Sequence, residues 1–150
     1  MEYDKKQVVA MLNKILEAEL AGVVRYTHYS FMVFGYNRIP IVGWLREQAA
    51  ESIMHAQKAG EIITALGEHP SLAIGPMLET HKHDVGDILR EAHENERTGL
   101  QLYRDLLALV ENRSVMLEEY AREMIYQEEM HGFEVDKMLR KPGEVKSFAG

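Results

Sequence analysis

The sequence predicts an all-α protein: a bundle of four long helices with one long crossover between the second and third. Three observations predict it. The 150-residue chain is rich in Glu, Ala, Leu and Met and has only four prolines, a composition that favours helix over strand. Its apolar residues recur at steps of three and four rather than two. Breaks in that rhythm divide the chain into four segments, each long enough to bury one stripe in a shared core.

The first helix is predicted from about Asp4 to Phe34, with Val8, Leu12, Ile15, Val23 and Tyr26 on its apolar stripe. The turn-forming run from Gly35 to Pro40 ends it. The second runs from about Ile41 to Leu66 and stops at Gly67, a C-cap residue. From Gly67 to about Lys82, with Pro70, Gly75 and Pro76, the periodicity is lost, and this stretch is the crossover. The third helix spans about His83 to Val110, with Leu89, Ala92, Leu100, Tyr103 and Leu107 inward. Ser114 is placed to N-cap the fourth, with Glu118 and Glu119 in its first turns. That helix carries Leu117, Ala121, Met124, Ile125, Val135 and Met138, ends near Arg140, and leaves a polar tail over 141–150. Two short links and a long middle one give up-down-down-up order, because the chain must return the length of the bundle between two parallel helices. Residues 1–150 are expected to form a single domain.

Composition narrows the function. A net charge of −7, from 24 acidic against 17 basic residues, argues against a nucleic-acid partner, whose phosphates need clustered Lys and Arg. The absence of cysteine removes disulfide scaffolds, zinc fingers and thiolate chemistry together. No apolar run approaches membrane-spanning length and the first residues lack a signal-peptide core, so a cytoplasmic protein with no membrane partner is expected.

The informative feature is where acidic residues interrupt the apolar stripes. Glu19 lies four after Ile15 and four before Val23; Glu96 follows Leu89 and Ala92 and precedes Leu100 and Tyr103; Glu128 lies among Ala121, Met124, Ile125 and Val135. Helical phase turns all three inward. An unpaired buried carboxylate costs several kcal/mol or more. No Lys or Arg is expected at matching positions, so a bound metal is the economical counter-charge. Glu128 and His131 are spaced three apart, and Glu51 and His55 four apart, so each pair shares a helix face and can reach one ion. Oxygen and imidazole donors suit iron or manganese, and zinc also occupies such sites.

With these motifs the chain resembles the bacterioferritin branch of the ferritin-like di-iron carboxylate superfamily over nearly its full length. The resemblance rests on Glu19-Leu20-Ala21 with Tyr26 seven after the glutamate, on Met54-His55-Ala56 followed by a helix ending in Leu66-Gly67 with Pro70, and on Glu128-x-x-His131. It implies a ferritin-like bundle binding two Fe ions per chain. Glu51 and Glu128 would bridge them, with His55 and His131 as one imidazole each, Glu19 and Glu96 as terminal carboxylates, and Tyr26 just behind them. It implies a ferroxidase that passes electrons from Fe(II) to O2 or H2O2 for iron storage or detoxification, assembled as a homo-oligomeric dimer or larger cage. The chain departs from the family at three places. Ser52 stands where the second-helix bridging glutamate belongs, and Ile53 stands where the haem methionine belongs, so haem is not expected. The tail 141–150 replaces a short fifth helix.

Two other classes compete with this reading: a rubrerythrin-like di-iron peroxidase, which would need an external donor because the chain has no Cys-x-x-Cys module, and a metal-free helical interaction protein. Glu17, Glu47, Glu91, Glu94 and Glu129 are expected to be solvated, and His28, His69, His81, His83 and His93 to be surface or capping residues. The nine methionines are read as gap-fillers in packing, and Trp44 and Tyr103 as core or interface residues.

Overall fold

The computed structural model describes residues 2–77 and 79–148. Four helices make up the fold: α1 (Lys5–Met32), α2 (Arg38–Ala65), α3 (Val85–Val110) and α4 (Val115–Leu139). Local chemistry sets their ends. The Asp4 side chain accepts from the Gln7 backbone N–H, Asp84 from Gly86, and Ser114 from Leu117, each satisfying a donor that the first turn leaves free. Gly67 ends α2 with φ at 83°, and the N–H groups of Gly67 and Glu68 return to Thr64 and Ile63. The second helix starts at Arg38, so Pro40 sits within its first turn, where a missing N–H costs nothing.

The core consists of two apolar clusters separated by a polar layer. One joins Val8, Leu12 and Ile15 to Ala59, Ile63, Leu106, Val110, Leu117 and Met124. The other joins Tyr26, Tyr29 and Val33 to Val42, Leu45, Ile88 and Ala92. Along α1 the chain passes from the first cluster to the second, along α2 and α3 from the second to the first, which is the up-down-down-up order. Glu19, Ser52, His55 and Glu96 lie between the clusters in sequence on their helices, and Glu128 follows Met124 on α4.

Close approaches tie the elements together. At Gly22 an added Cβ would stand 2.7 Å from Ser52 Oγ, so α1 and α2 meet through two small residues, and Ser52 is buried. The crossover has no helix among its described residues, yet it is fixed in place. Ser71 N–H donates to Asn13 Oδ1 at 2.8 Å, Ser71 Oγ to Glu17 at 2.6 Å, and Thr80 N–H to Glu91 at 2.7 Å. Gly75 N–H donates to the Glu17 carbonyl at 2.9 Å. The tail folds back onto buried Asp136, which accepts from Arg140, from Ser147 and from the Phe148 N–H. No helix among the described residues is long and apolar enough to cross a membrane.

Candidate metal centre

The polar layer brings five of the six expected ligands within reach of one another. Glu19 and His55 are buried, and His55 Nδ1 stands 3.1 Å from Glu19 Oε2 and 3.5 Å from Glu128 Oε1. One ligand atom from each of Glu19, His55 and Glu128 lies within 4.8 Å of the other two. Beside this trio, His131 Nε2 stands 3.3 Å from Glu96 Oε1. The Glu96 and Glu128 carboxyls are hydrogen-bonded to each other and join the two halves.

Neighbouring side chains hold these groups. Tyr103 OH donates to Glu19 at 2.7 Å, and Tyr26 OH donates to Glu96 while standing 3.3 Å from His131 Nε2. The Trp44 ring stacks on His131 at 5.7 Å with planes 8° apart. Gln127 Nε2 donates to Glu123, which turns its Oε1 to His55 Nε2 at 3.1 Å. That contact gives the Nε2–H of His55 to the Gln127 oxygen and turns Nδ1 towards Glu19 and Glu128.

Charge in this chamber is unbalanced. Among the described residues no Lys or Arg makes a salt bridge with Glu19, Glu96 or Glu128, so protons do the neutralising. Burial and the charge of Glu96 hold the Glu128 carboxyl well above the usual range. Burial pushes Glu96 up as well, but hydrogen bonds from His131, Glu128 and Tyr26 outweigh it and hold that carboxyl down. Burial opposes charge on His55, yet hydrogen bonds to Glu128 and Glu19 push the imidazole up to about 10. His131 is raised likewise: burial opposes, and the Glu96 hydrogen bond and charge prevail. The raised Glu128 carboxyl and the two raised imidazoles hold protons beside the depressed Glu96, and this set of oxygen and imidazole donors fits a divalent ion in chemistry and in charge.

Glu51 stands apart. It is exposed and makes no hydrogen bond or ion pair with the other five among the described residues, though it borders the same cleft as Gln48, Ser52 and His131 and its charge reaches His131. Arg25 also faces inward, which the sequence did not single out. It is buried, with its guanidinium 5.1 Å from the Tyr26 ring centroid and its Nε lacking a hydrogen-bond partner. Its charge helps to lower Glu91. Glu91 corrects the expectation of solvation: it is buried and accepts from Tyr29 OH and the Thr80 N–H. The supporting roles of Tyr103, Trp44 and Gln127 were not read from the sequence. Tyr103, seven after Glu96, carried the signal of a shared stripe, whereas Gln127 carried none. His28 and His83, expected as surface or capping residues, converge on Glu79.

Fold and donor set together define a ferritin-like bundle with a candidate metal centre between its helices. The chain belongs to the ferritin-like domain family, which it matches over residues 9–143. Its structure is similar to that of a ferritin-like, diiron-carboxylate protein from Bacillus anthracis str. Ames, with TM-score 0.86 and 24% identity, covering 93% of this chain and 100% of that one. It is similar to the dodecameric thioferritin from Bacteroides fragilis, a bacterioferritin-related protein, with TM-score 0.84, 22% identity and coverages of 91% and 86%. Rhodobacter capsulatus bacterioferritin, described with a metal-free dinuclear site and haem iron, gives TM-score 0.80, 22% identity and coverages of 93% and 86%. At these identities the likeness is one of fold. By sequence, no curated protein matches the chain.

Proposed function

We propose that the chain binds two ferrous ions in this chamber and oxidises them, for iron storage or detoxification in the cytoplasm. The observation that carries the reading is the buried meeting of Glu19, His55 and Glu128 beside Glu96 and His131, with no basic side chain salt-bridged to the carboxylates. When bound, each Fe(II) supplies one electron, and together the pair reduces O2 to H2O2, or H2O2 to water. Glu19 and His55 hold one ion, Glu96 and His131 the other, and Glu128 stands between them. Glu51, at the cleft mouth, would add a further carboxylate. Tyr103 and Tyr26 orient Glu19 and Glu96 through their hydroxyls, and the two imidazoles lose their protons as the ions arrive. Manganese or zinc fits the same donors. Haem has no part in this reading, because Ile53 stands where the resemblance places the haem methionine.

The assembly is a homo-oligomer, a dimer or larger cage. Exposed Phe31, Phe34, Tyr36, Ile39, Ile53 and Met54 on α1, α2 and their link supply apolar surface of the kind that marks protein contacts.

Anaerobic Fe(II) titration tests the reading. The chamber is expected to take up about two ions per chain, and admitting air is expected to develop ferric absorbance. Glu19→Ala and His131→Ala are expected to abolish rapid oxidation. A chain that takes up no ferrous ion, or variants that oxidise at the wild-type rate, overturns it.

A further inference from the structure

A second set of metal-type donors lies outside the chamber. His28 comes from α1, Glu79 and His83 from the end of the crossover, and one ligand atom of each lies within 4.8 Å of the other two. The Glu79 carboxylate offers a different oxygen to each ring: Oε2 stands 3.5 Å from His28 Nε2 and Oε1 stands 4.0 Å from His83 Nε2. The two imidazoles meet edge to face at 5.5 Å. His83 Nε2 is shut off from solvent and has no hydrogen-bond partner, although leaving such an atom unmatched costs about 1–3 kcal/mol. At His81, between the two crossover ligands, φ is 58°. This left-handed residue turns the chain so that positions two before and two after it face each other.

We propose that His28, Glu79 and His83 bind one divalent first-row transition cation, which clamps the end of the crossover to α1. Two imidazoles and one carboxylate are a donor set for Zn2+ or Fe2+, with remaining positions open to water. Donors at about 2.0–2.2 Å from one ion stand roughly 3–3.5 Å apart. Glu79 and His28 already have that spacing, and His83 Nε2 stands 4.0 Å from the other Glu79 oxygen. A surface depression bordered by Val24, Arg25, His28, Met77, Glu79 and His81 gives the ion a path from solvent. The site shares no ligand with the chamber, so it stands or falls independently of the ferroxidase reading. The clamp also ties to α1 the end of the crossover that the Thr80 bond to Glu91 already holds to α3.

Equilibrium dialysis of the full chain against Zn2+ and, without oxygen, against Fe2+ tests this. The His28→Ala/His83→Ala double variant is expected to bind one ion fewer per chain than wild type, with its chamber stoichiometry unchanged. Zn2+ is expected to slow tryptic cleavage after Lys82 in wild type and not in the variant. Anomalous diffraction at the zinc edge from Zn2+-soaked wild-type crystals needs no variant and is expected to show a peak within bonding distance of all three side chains. Equal stoichiometry in a folded variant, or a map with no peak there, overturns the proposal.

Discussion

At the scale of single residues, the chamber depends on side chains that hold ligands as much as on the ligands themselves. Tyr103 donates to Glu19 at 2.7 Å from a buried position, so the hydroxyl both satisfies the carboxylate and aims it. Tyr103→Phe is expected to leave the fold intact and to weaken anaerobic Fe(II) binding by about 10–100-fold, the usual cost of removing such a partner, as read by titration. Glu51 asks a different question because it is exposed while its neighbour Ser52 is buried. Glu51→Gln is expected to lower the ferrous stoichiometry of the chamber from about two ions per chain to about one, with the Glu19–His55–Glu128 trio still loaded. A wild-type stoichiometry would remove Glu51 from the ligand set. Ser52, where the resemblance places the bridging glutamate, instead faces Gly22 on α1.

At the scale of elements, the crossover is the piece whose placement is most exposed to test. A Cβ on Gly75 would stand 3.1 Å from the Glu17 carbonyl carbon and oxygen, and helix backbone does not yield easily. Gly75→Ala is therefore expected to cost about 1–3 kcal/mol in urea unfolding. Glu91 joins the crossover to α1 and α3 by accepting from Thr80 and Tyr29. Glu91→Ala leaves both donors without that acceptor and is expected to cost about 1–3 kcal/mol. Burial alone would raise this carboxyl, but the hydrogen bonds from Tyr29 and Thr80 lower it below its ordinary 4.5. A depressed carboxyl contributes stability that is present above its unfolded value and lost as pH falls through the folded one. Wild type is thus expected to lose stability relative to Glu91→Ala on acidification below about pH 4.5, as read by denaturation midpoints across pH.

At the scale of the whole molecule, the same chamber ties stability to metal in opposite directions. In chelator-treated protein the raised imidazoles act as the counter-charge. Their stabilisation is complete below their ordinary value of 6.5 and is lost as pH rises towards about 10, the folded value for His55. Ferrous ions need those nitrogens bare, so metal affinity is expected to increase over the same rise in pH. Thermal melts of metal-free and zinc-loaded protein should therefore diverge as pH rises. Parallel melts would show that the imidazoles are not the groups the metal displaces.

The sequence by itself determined the number of helices, their order and the inward phase of Glu19, Glu96 and Glu128, because helical phase is a local property and an apolar stripe admits a single inward direction. Glu19, Glu96 and Glu128 could be singled out on that ground before any contact was known. It could not determine how far two helices stand apart or which side-chain heads meet across them. Only the tertiary structure decided that Ser52 sits where α1 and α2 touch, that Arg25 and Glu91 are buried, that Gln127 turns His55, and that His28 finds Glu79 and His83 more than fifty residues further along the chain. Those facts depend on interhelical distance and on the path of a connection without periodicity, and neither leaves a mark in the spacing of residues.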